Sequence, residues 1–543
     1  MSTLPPAVLS GSRSPSSTGL DADVIIVGAG PTGLTLAAEL AIAKVNVLVL
    51  ERRANQDLDG SRAGGLHART LELLETRGAL APFLAAGAPA QIVGFAWMPL
   101  DISDFPTRHP YGLALSQQDI ERQLLAWATE CGVSIRRSTV VAQLMQDEHA
   151  VTVPLDDGEV LRGAWVVGCD GAHSVVRRAA GMAFEGSPPS ICHILAELRL
   201  RETPAWGLKR DALGIHAIGP LPETGGGASN AVPGTVRARV MLTEAGVERR
   251  TAPTLDEVCQ RLREVYGQDF GAHDASWLSW FTDVARQASP YRVGRLLVAG
   301  DAAHVHYPTG GQGLNLGMQD AFNLGWKLAQ VVRGISDETL LDSYQRERHP
   351  VAARVLQNTR AQSALLRTDA QTEALRESVA SWLVMNEPRV AVAAMLAGLD
   401  VHYDLGHGHP LLGRRIPDLR LHTADGPTHI ATLLHDARPL LIDLGVQDSI
   451  DIGPWTQHVR MINAEGRERW VLPVIGEVTP PRGLLVRPDG HVAWVSEGGT
   501  SGLAEALVQW HGCTVNTTPL AASKDGHSFM SEIPIPSNPP LAT

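Results

Sequence analysis

DVIIVGAGPTGLTLAAELAIAKVNVLVLE, residues Asp23 to Glu51, decides the fold. It opens on a short apolar run, Val24 to Val27, then turns through Gly28-Ala29-Gly30-Pro31-Thr32-Gly33. A helical pattern follows through Leu34, Leu36, Ala37 and Leu40, and a second run, Val45 to Leu50, ends in an acid. GxGxxG is informative only in such a strand–turn–helix–strand setting. There Gly28 permits the tight turn, Gly30 lets backbone approach a pyrophosphate, and Gly33 lets the helix pack close to the strand. The helix N-terminus offers N–H groups and its positive dipole end to phosphate. Glu51 stands about 20 residues on, where a carboxylate accepts hydrogen bonds from an adenosine ribose. A membrane span needs about 20 nearly uninterrupted apolar residues, and Glu39, Lys44 and the Gly-Pro break interrupt this stretch. The stretch reads as a dinucleotide site.

The chain of 543 residues is long enough for several domains. A formal net charge of −12 speaks against nucleic acid and anionic membranes as partners. Cys131, Cys169, Cys192, Cys259 and Cys513 are scattered and show no CxxC spacing. That excludes a disulfide framework or zinc ribbon and predicts a cytoplasmic protein. Residues 1–20, rich in Ser, Pro and Gly without an apolar core, read as a disordered tail rather than a signal peptide. The polar, Pro-rich residues 514–543 read as a second tail.

Two further stretches carry information. Val166 to Arg178, VVGCDGAHSVVRR, runs from a strand through Asp170-Gly171 into a helix, and taken alone Asp170 reads as a cap or turn residue. Arg295 to Asp320, RLLVAGDAAHVHYPTGGQGLNLGMQD, delivers Asp301 from an apolar strand into a Gly-rich loop. A long helix from about Leu314 to Val332 follows, its N–H groups placed to meet developing negative charge. His304 and His306 have H-x-H spacing, but no carboxylate or thiolate cluster accompanies them, so they read as structural and no metal is expected. Arg62 and Gln117, by themselves, read as surface residues.

Between these, residues 182–290 are rich in Pro, Gly and β-branched residues. They predict an inserted, mainly β domain with strands at 191–201 and 236–243, a helix over Leu255 to Tyr266, and Gly/Pro-rich loops from 219 to 234. Its cleft against the nucleotide domain (21–181 and 291–400) is the expected substrate site. Helical periodicity runs to about residue 400, with Pro350 expected to interrupt it. After a linker at Gly406 to Pro410, residues 411–513 predict a compact α/β unit with a hairpin at Asp489-Gly490.

Order and spacing of the three motifs over residues 21–400 resemble the single-component FAD-dependent aromatic hydroxylases of the para-hydroxybenzoate hydroxylase type. The chain is most similar to the subgroup acting on polyketides and rifamycins, which carries a C-terminal thioredoxin-like domain. Residues 411–513 fit that domain and lack CxxC, so no redox chemistry is assigned to it. The resemblance implies an α/β fold: a Rossmann-like FAD domain with an inserted β substrate domain, long connecting helices and the thioredoxin-like unit. It implies FAD contacts at Gly28, Gly30, Thr32, Gly33, Glu51, Arg52, Arg62, Gln117, Val141 and Asp301, and at the backbone of Leu314 and Asn315. Asp170 matches a motif tied to both FAD and the reductant. NADPH or NADH would bind transiently, since no second GxGxxG stands in a βαβ setting.

The implied reaction is aromatic hydroxylation with O2 through a flavin C4a-hydroperoxide, with Pro308, Gly311 and Gly313 forming the flavin-side wall and helix N-terminus. No side-chain base is assigned; His216 and Tyr307 are unsupported candidates. The expected substrate is a fused polycyclic phenol or quinone. Baeyer–Villiger insertion, a small phenolic acid substrate and a flavin-binding protein without oxygenase activity remain as alternatives, and a homodimer is left open.

Overall fold

The computed structural model describes residues 19–58, 60, 63–221, 234–244, 246, 251–448 and 450–512. Arg62, most of the expected 219–234 loop, Cys513 and nearly all of both expected tails lie outside the described residues.

Strand Ala22–Val27 is almost wholly buried, as a central strand of a covered parallel sheet must be. It pairs in parallel with Val47–Leu50 on one side and Val160–Gly168 on the other. Ser134–Arg136 and Leu296–Val298 extend the parallel sheet outward. Across the sheet these strands stand third, second, first, fourth and fifth in chain order. That is the dinucleotide-fold order, whose switch point lies between the first and fourth strands. Helix Pro31–Ile42 packs against helices Gln117–Glu130 and Gln312–Val332. Gly317 makes the last approach possible, since a Cβ there would sit 2.4 Å from Thr32 Oγ1.

The chain leaves and re-enters this body on paired strands, Ala183–Ser187 and Ala285–Ser289, with Ala183 opposite Ser289. Between them stands a five-stranded antiparallel sheet containing Cys192–Leu200, Val236–Thr243 and His273–Thr282. Helix Leu255–Tyr266 covers one face, started by a Thr254/Glu257 capping box. Ile194, Ala196, Leu198 and Leu200 pack beneath it with Val258, Leu262 and Val265. Strand alternation turns His193, Leu195 and Glu197 to the opposite face.

Pro350 does not interrupt its helix. Asp342–Leu365 continues through it, losing one backbone bond, while Val351, Ala352, Val355 and Leu356 are buried along the same helix. Helices Ala370–Leu383 and Asn386–Ala397 follow. Farther on, Leu440–Asp443 lies parallel to Arg460–Gly466 and antiparallel to Gly483–Val486, which pairs with Val492–Ser496 through the Asp489-Gly490 turn. Helix Leu503–His511 completes this unit. Buried arginines fasten it to the rest. Arg77 is buried on Glu39 and donates to the Leu434 and Pro488 carbonyls, while Arg487 reaches Glu347 with both terminal nitrogens at 2.6 and 2.8 Å. Among the described residues no helix is long and apolar enough to cross a membrane, and no cluster is arranged to hold a metal ion.

Candidate functional site

Sheet register brings the motifs together. Val27 pairs with both Leu50 and Gly168, and Gly168 pairs with Val298. The residues that follow are Gly28, Glu51, Cys169-Asp170 and Ala299-Gly300-Asp301. Three stretches far apart in sequence thus share one carboxyl edge, at the switch point where this topology binds ligands.

The glycine turn is shaped for a backbone-hugging ligand. Gly28 has φ +104°, and a Cβ there would lie 2.4 Å from the Cys169 carbonyl oxygen. A Cβ on Gly33 would lie 1.9 Å from the Gly28 oxygen, whereas one on Gly30 would meet nothing within 4 Å. So the helix is clamped to the turn, while the Gly30 side opens on free space. Among the described residues no side chain caps helix Pro31–Ile42 or helix Gln312–Val332. Helix Gln117–Glu130, by contrast, is capped by Ser116. Uncapped amides fit a pyrophosphate at the first helix, where Gly30 opens on free space, and the polar edge of a flavin at the second.

Glu51 is 5% exposed, and its carboxylate accepts from the amides of Ala29 at 2.7 Å and Arg53 at 2.8 Å. A carboxylate has about four acceptor sites, so ribose hydroxyls still find room. Arg52 is exposed, and Val141 sits in the core with a backbone bridge to Leu155. Gln117 donates to Glu121 at 3.0 Å and accepts from Ala63 N at 3.4 Å. Sequence reading missed the group behind it. Glu121, 1% exposed, takes Arg53 at 3.0 Å and Gln56 at 2.6 Å, and Gln56 also reaches the Ala29 carbonyl. A glutamate on an amphipathic helix gives no sequence signal for such burial.

Asp170 does cap: its Oδ2 accepts from Val175 N at 2.6 Å and Val176 N at 3.3 Å. Its Oδ1 is buried without a partner among the described residues, and burial raises the carboxyl above its usual range. Asp301, Pro308 and Gly311 are exposed, and Gly313 and Leu314 are half-buried. The Asn315 side chain ties the helix start to the neighbouring loop, accepting from His67 N at 2.8 Å and donating to Gly311 O at 3.0 Å. Behind the loop, buried Asp320 accepts from Gly300 N at 3.2 Å, His304 Nε2 at 2.6 Å and Arg348 Nε at 2.7 Å. His304 is therefore structural.

Tyr307 joins the loop to the inserted sheet, its hydroxyl 3.0 Å from His193 Nε2, with Phe281 stacked on His193. His216 belongs to the same sheet, its Nδ1 accepting from Thr243 N at 3.2 Å. Burial pushes the His67 and His193 imidazoles down to about 4. Their unfolded value is about 6.5, so between those limits the unfolded chain binds more protons. Stability contributed by the neutral rings is complete above pH 6.5 and is lost as pH falls toward 4. The midpoint of thermal unfolding is expected to drop steadily across that window, with a shallower slope in His193→Asn. An equal slope in the variant would remove His193 from the account.

The chain belongs to the FAD-dependent aromatic-ring hydroxylases. Residues 21–359 match the FAD binding domain family, and residues 409–513 match the family described as aromatic-ring hydroxylase, C-terminal. Its cofactor is FAD and its class is monooxygenase. A similar relative is the 12-dehydrotetracycline 5-monooxygenase/anhydrotetracycline 6-monooxygenase of Streptomyces rimosus, 43% identical over 90% of this chain and 99% of that one. The rifampicin monooxygenase of Streptomyces venezuelae is 42% identical over 88% of this chain and 96% of its own. Among solved structures, an aromatic hydroxylase from angucycline biosynthesis superposes with a TM-score of 0.82 at 38% identity, covering 91% of this chain and 99% of that one.

Proposed function

We propose that this enzyme hydroxylates a fused polycyclic phenol or quinone of polyketide type, taking electrons from NADPH or NADH. The supporting observation is the wall opposite the Tyr307-Pro308 loop. There half-buried Phe281 and Met241, backed by buried His193 and Ile215, pack with Tyr307 into a largely apolar, aromatic cluster that includes Phe95 and Leu366. Arg239 on that sheet is paired with Glu197 at 2.6 Å, which disfavours a small substrate held by its carboxylate. The substrates named for the similar tetracycline and rifampicin enzymes, and the angucycline pathway of the similar hydroxylase, agree with this reading.

Bound FAD, once reduced, supplies an electrophilic oxygen atom derived from O2. The chain's part is to bind, orient and keep water out. Gly28 to Gly33 and Glu51 would hold the adenosine diphosphate half, and Asp301 the other half. The first turn of helix Gln312–Val332 would stabilise negative charge on the flavin. Pro308 and Gly311 would wall the ring on the substrate side, with Tyr307 and His193 closing the seam to the inserted sheet. We place the residue 411–512 unit outside this chemistry, as a thioredoxin-like brace. A cytosolic site fits the free cysteines.

A panel of polycyclic phenols and single-ring phenolic acids should separate the substrate classes. The expected result is NAD(P)H oxidation and O2 uptake matching hydroxylated product, for polycyclic substrates only. Tight coupling to a single-ring acid would overturn the substrate proposal. Product formed without O2 uptake would overturn hydroxylation itself. Asp301→Ala is expected to weaken FAD by about 1–3 kcal/mol with the fold intact, because hydrogen-bond partners are stranded. Fluorescence titration of the apoprotein measures this, and unchanged affinity would make Asp301 a structural residue.

A further inference from the structure

His67 stands where two helix ends meet. Its main-chain amide donates to Asn315 Oδ1 at 2.8 Å, near the start of helix Gln312–Val332. Its ring hydrogen-bonds to the backbone of Gly310, in the wall loop, and of Leu396, in the last turn of helix Asn386–Ala397. The ring is half-buried, and Gly311 beside it is exposed. A Cβ on Gly311 would stand 3.5 Å from His67 Nε2 and meet nothing else within 4 Å. That nitrogen therefore borders the open side of the wall loop.

Two carbonyls around one imidazole leave its proton count in the balance. A neutral ring carries one N–H and satisfies one carbonyl, whereas an imidazolium carries two and satisfies both. The Leu396 carbonyl also brings the negative end of its helix, which favours a cation. Burial opposes the charge and holds the ring neutral, its value pushed down to about 4. The positive start of helix Gln312–Val332 works in the same direction. Charged groups on the surrounding elements are engaged elsewhere. Arg69 pairs with Glu72, Tyr307 with His193, and Asp320 with His304 and Arg348. His306 donates to the Tyr307 carbonyl, Arg389 pairs with Asp104, and Asp301 stands beside Gly313. Glu387 lies about 13 Å down its helix from Leu396. The balance thus turns on negative charge arriving at the helix start. A full charge about 4 Å away in a protein interior raises a base's proton affinity about thousandfold, enough to bring His67 near neutrality.

We propose that His67 takes up a proton from solvent when the bound flavin is reduced, and holds it beside the cofactor until reoxidation. This rests on the FAD reading and adds to it a store for one proton. Hydride transfer from NADPH or NADH brings two electrons and one proton, and leaves negative charge on the flavin. One atom of O2 then enters the product and the other leaves as water. That water consumes one proton beyond those of the hydride and the substrate. The proton on His67 balances it, and the ring returns to neutral.

The test is a redox titration of the FAD-loaded protein, followed by absorbance from pH 5 to pH 9. Each proton taken up with two electrons shifts the equilibrium tenfold per pH unit, about 30 mV. Below about pH 7 the wild-type potential should fall by that much more per pH unit than that of His67→Gln. Above about pH 8 the two lines should run parallel. Gln keeps one N–H for one carbonyl and leaves the main-chain bond to Asn315, so circular dichroism should be unchanged. The absorption of the reduced wild-type flavin should be the same at pH 6 and pH 8, which puts the proton on the protein. Parallel lines below pH 7, or a reduced spectrum that changes along with the slope, would overturn the proposal. Should His67→Gln not fold, the wild type decides alone. In weak buffer at pH 6, reduction by NADPH or NADH should take up about one proton per flavin, read with a pH indicator, and no uptake overturns the proposal. A protein that binds no FAD would overturn the FAD reading and this proposal together, an outcome distinct from parallel lines in flavin-loaded protein.

Discussion

Arg487→Ala is expected to lower the stability of the folded chain by about 3–5 kcal/mol, the cost of leaving buried charge without its partner. Arg487 is fully buried in the C-terminal unit and grips Glu347 of helix Asp342–Leu365 with both terminal nitrogens. It also meets Asp489, at 2.5 Å, and lies over the rings of Trp326, Trp510 and Tyr403. Glu347 takes Lys327 as well, at 2.9 Å, and Asn323 at 2.6 Å. Truncating the arginine leaves Glu347 with Lys327 alone among its cationic partners, and Asp489 nearby across the Asn323 amide. Attraction to Arg487 and Lys327 outweighs burial and holds the Glu347 carboxyl down to about 2. Its unfolded value is near 4.3, so its stability is present above that pH and is lost as pH falls toward 2. In the variant the acid transition should move upward. Urea unfolding at pH 7 and at pH 3 measures both effects. A loss below about 1 kcal/mol at neutral pH would mean that the buried network rearranges around the gap.

Nothing in the sequence announces that network, because Glu347 and Arg487 are 140 residues apart and charged residues on helices and hairpins usually face water. The dinucleotide turn was legible for the opposite reason. Its glycines, strand and acid lie within one short stretch, where local geometry restricts the residue choices. Strand Cys192–Leu200 and helix Leu255–Tyr266 were legible from composition and helical pattern, while the Thr254/Glu257 capping box that starts the helix was not read beforehand. The convergence of Asp170 and Asp301 on Gly28 was not. It depends on sheet order, and only the resemblance supplied it beforehand. Gln117 shows the limit from the other side. Its place follows from Glu121, a buried acid that the hydrophobic pattern of helix Gln117–Glu130 does not reveal. Pro350 shows that a local breaker yields when a long helix buries one face.

The glycine turn supplies the most discriminating pair of substitutions. Gly33→Ala places a methyl 1.9 Å from the Gly28 oxygen and 3.3 Å from Cys169 Cβ, neither of which can swing away. The helix must lift off the strand, at about 1–3 kcal/mol or more in stability. Its amides then leave the phosphate position, and FAD affinity should fall by about 100-fold, or about 2.7 kcal/mol. Gly30→Ala asks a separate question. Gly30 has φ −77°, an ordinary value for alanine, and its added methyl meets nothing within 4 Å. Stability of the apoprotein should therefore stay within about 0.5 kcal/mol of wild type. Yet that empty side is where backbone and pyrophosphate would touch, so FAD should bind at least about tenfold more weakly, about 1.4 kcal/mol. Thermal unfolding of the two apoproteins and titration of each with FAD separate the roles. A Gly30→Ala protein that binds FAD like wild type would show that the cofactor's phosphates pass elsewhere.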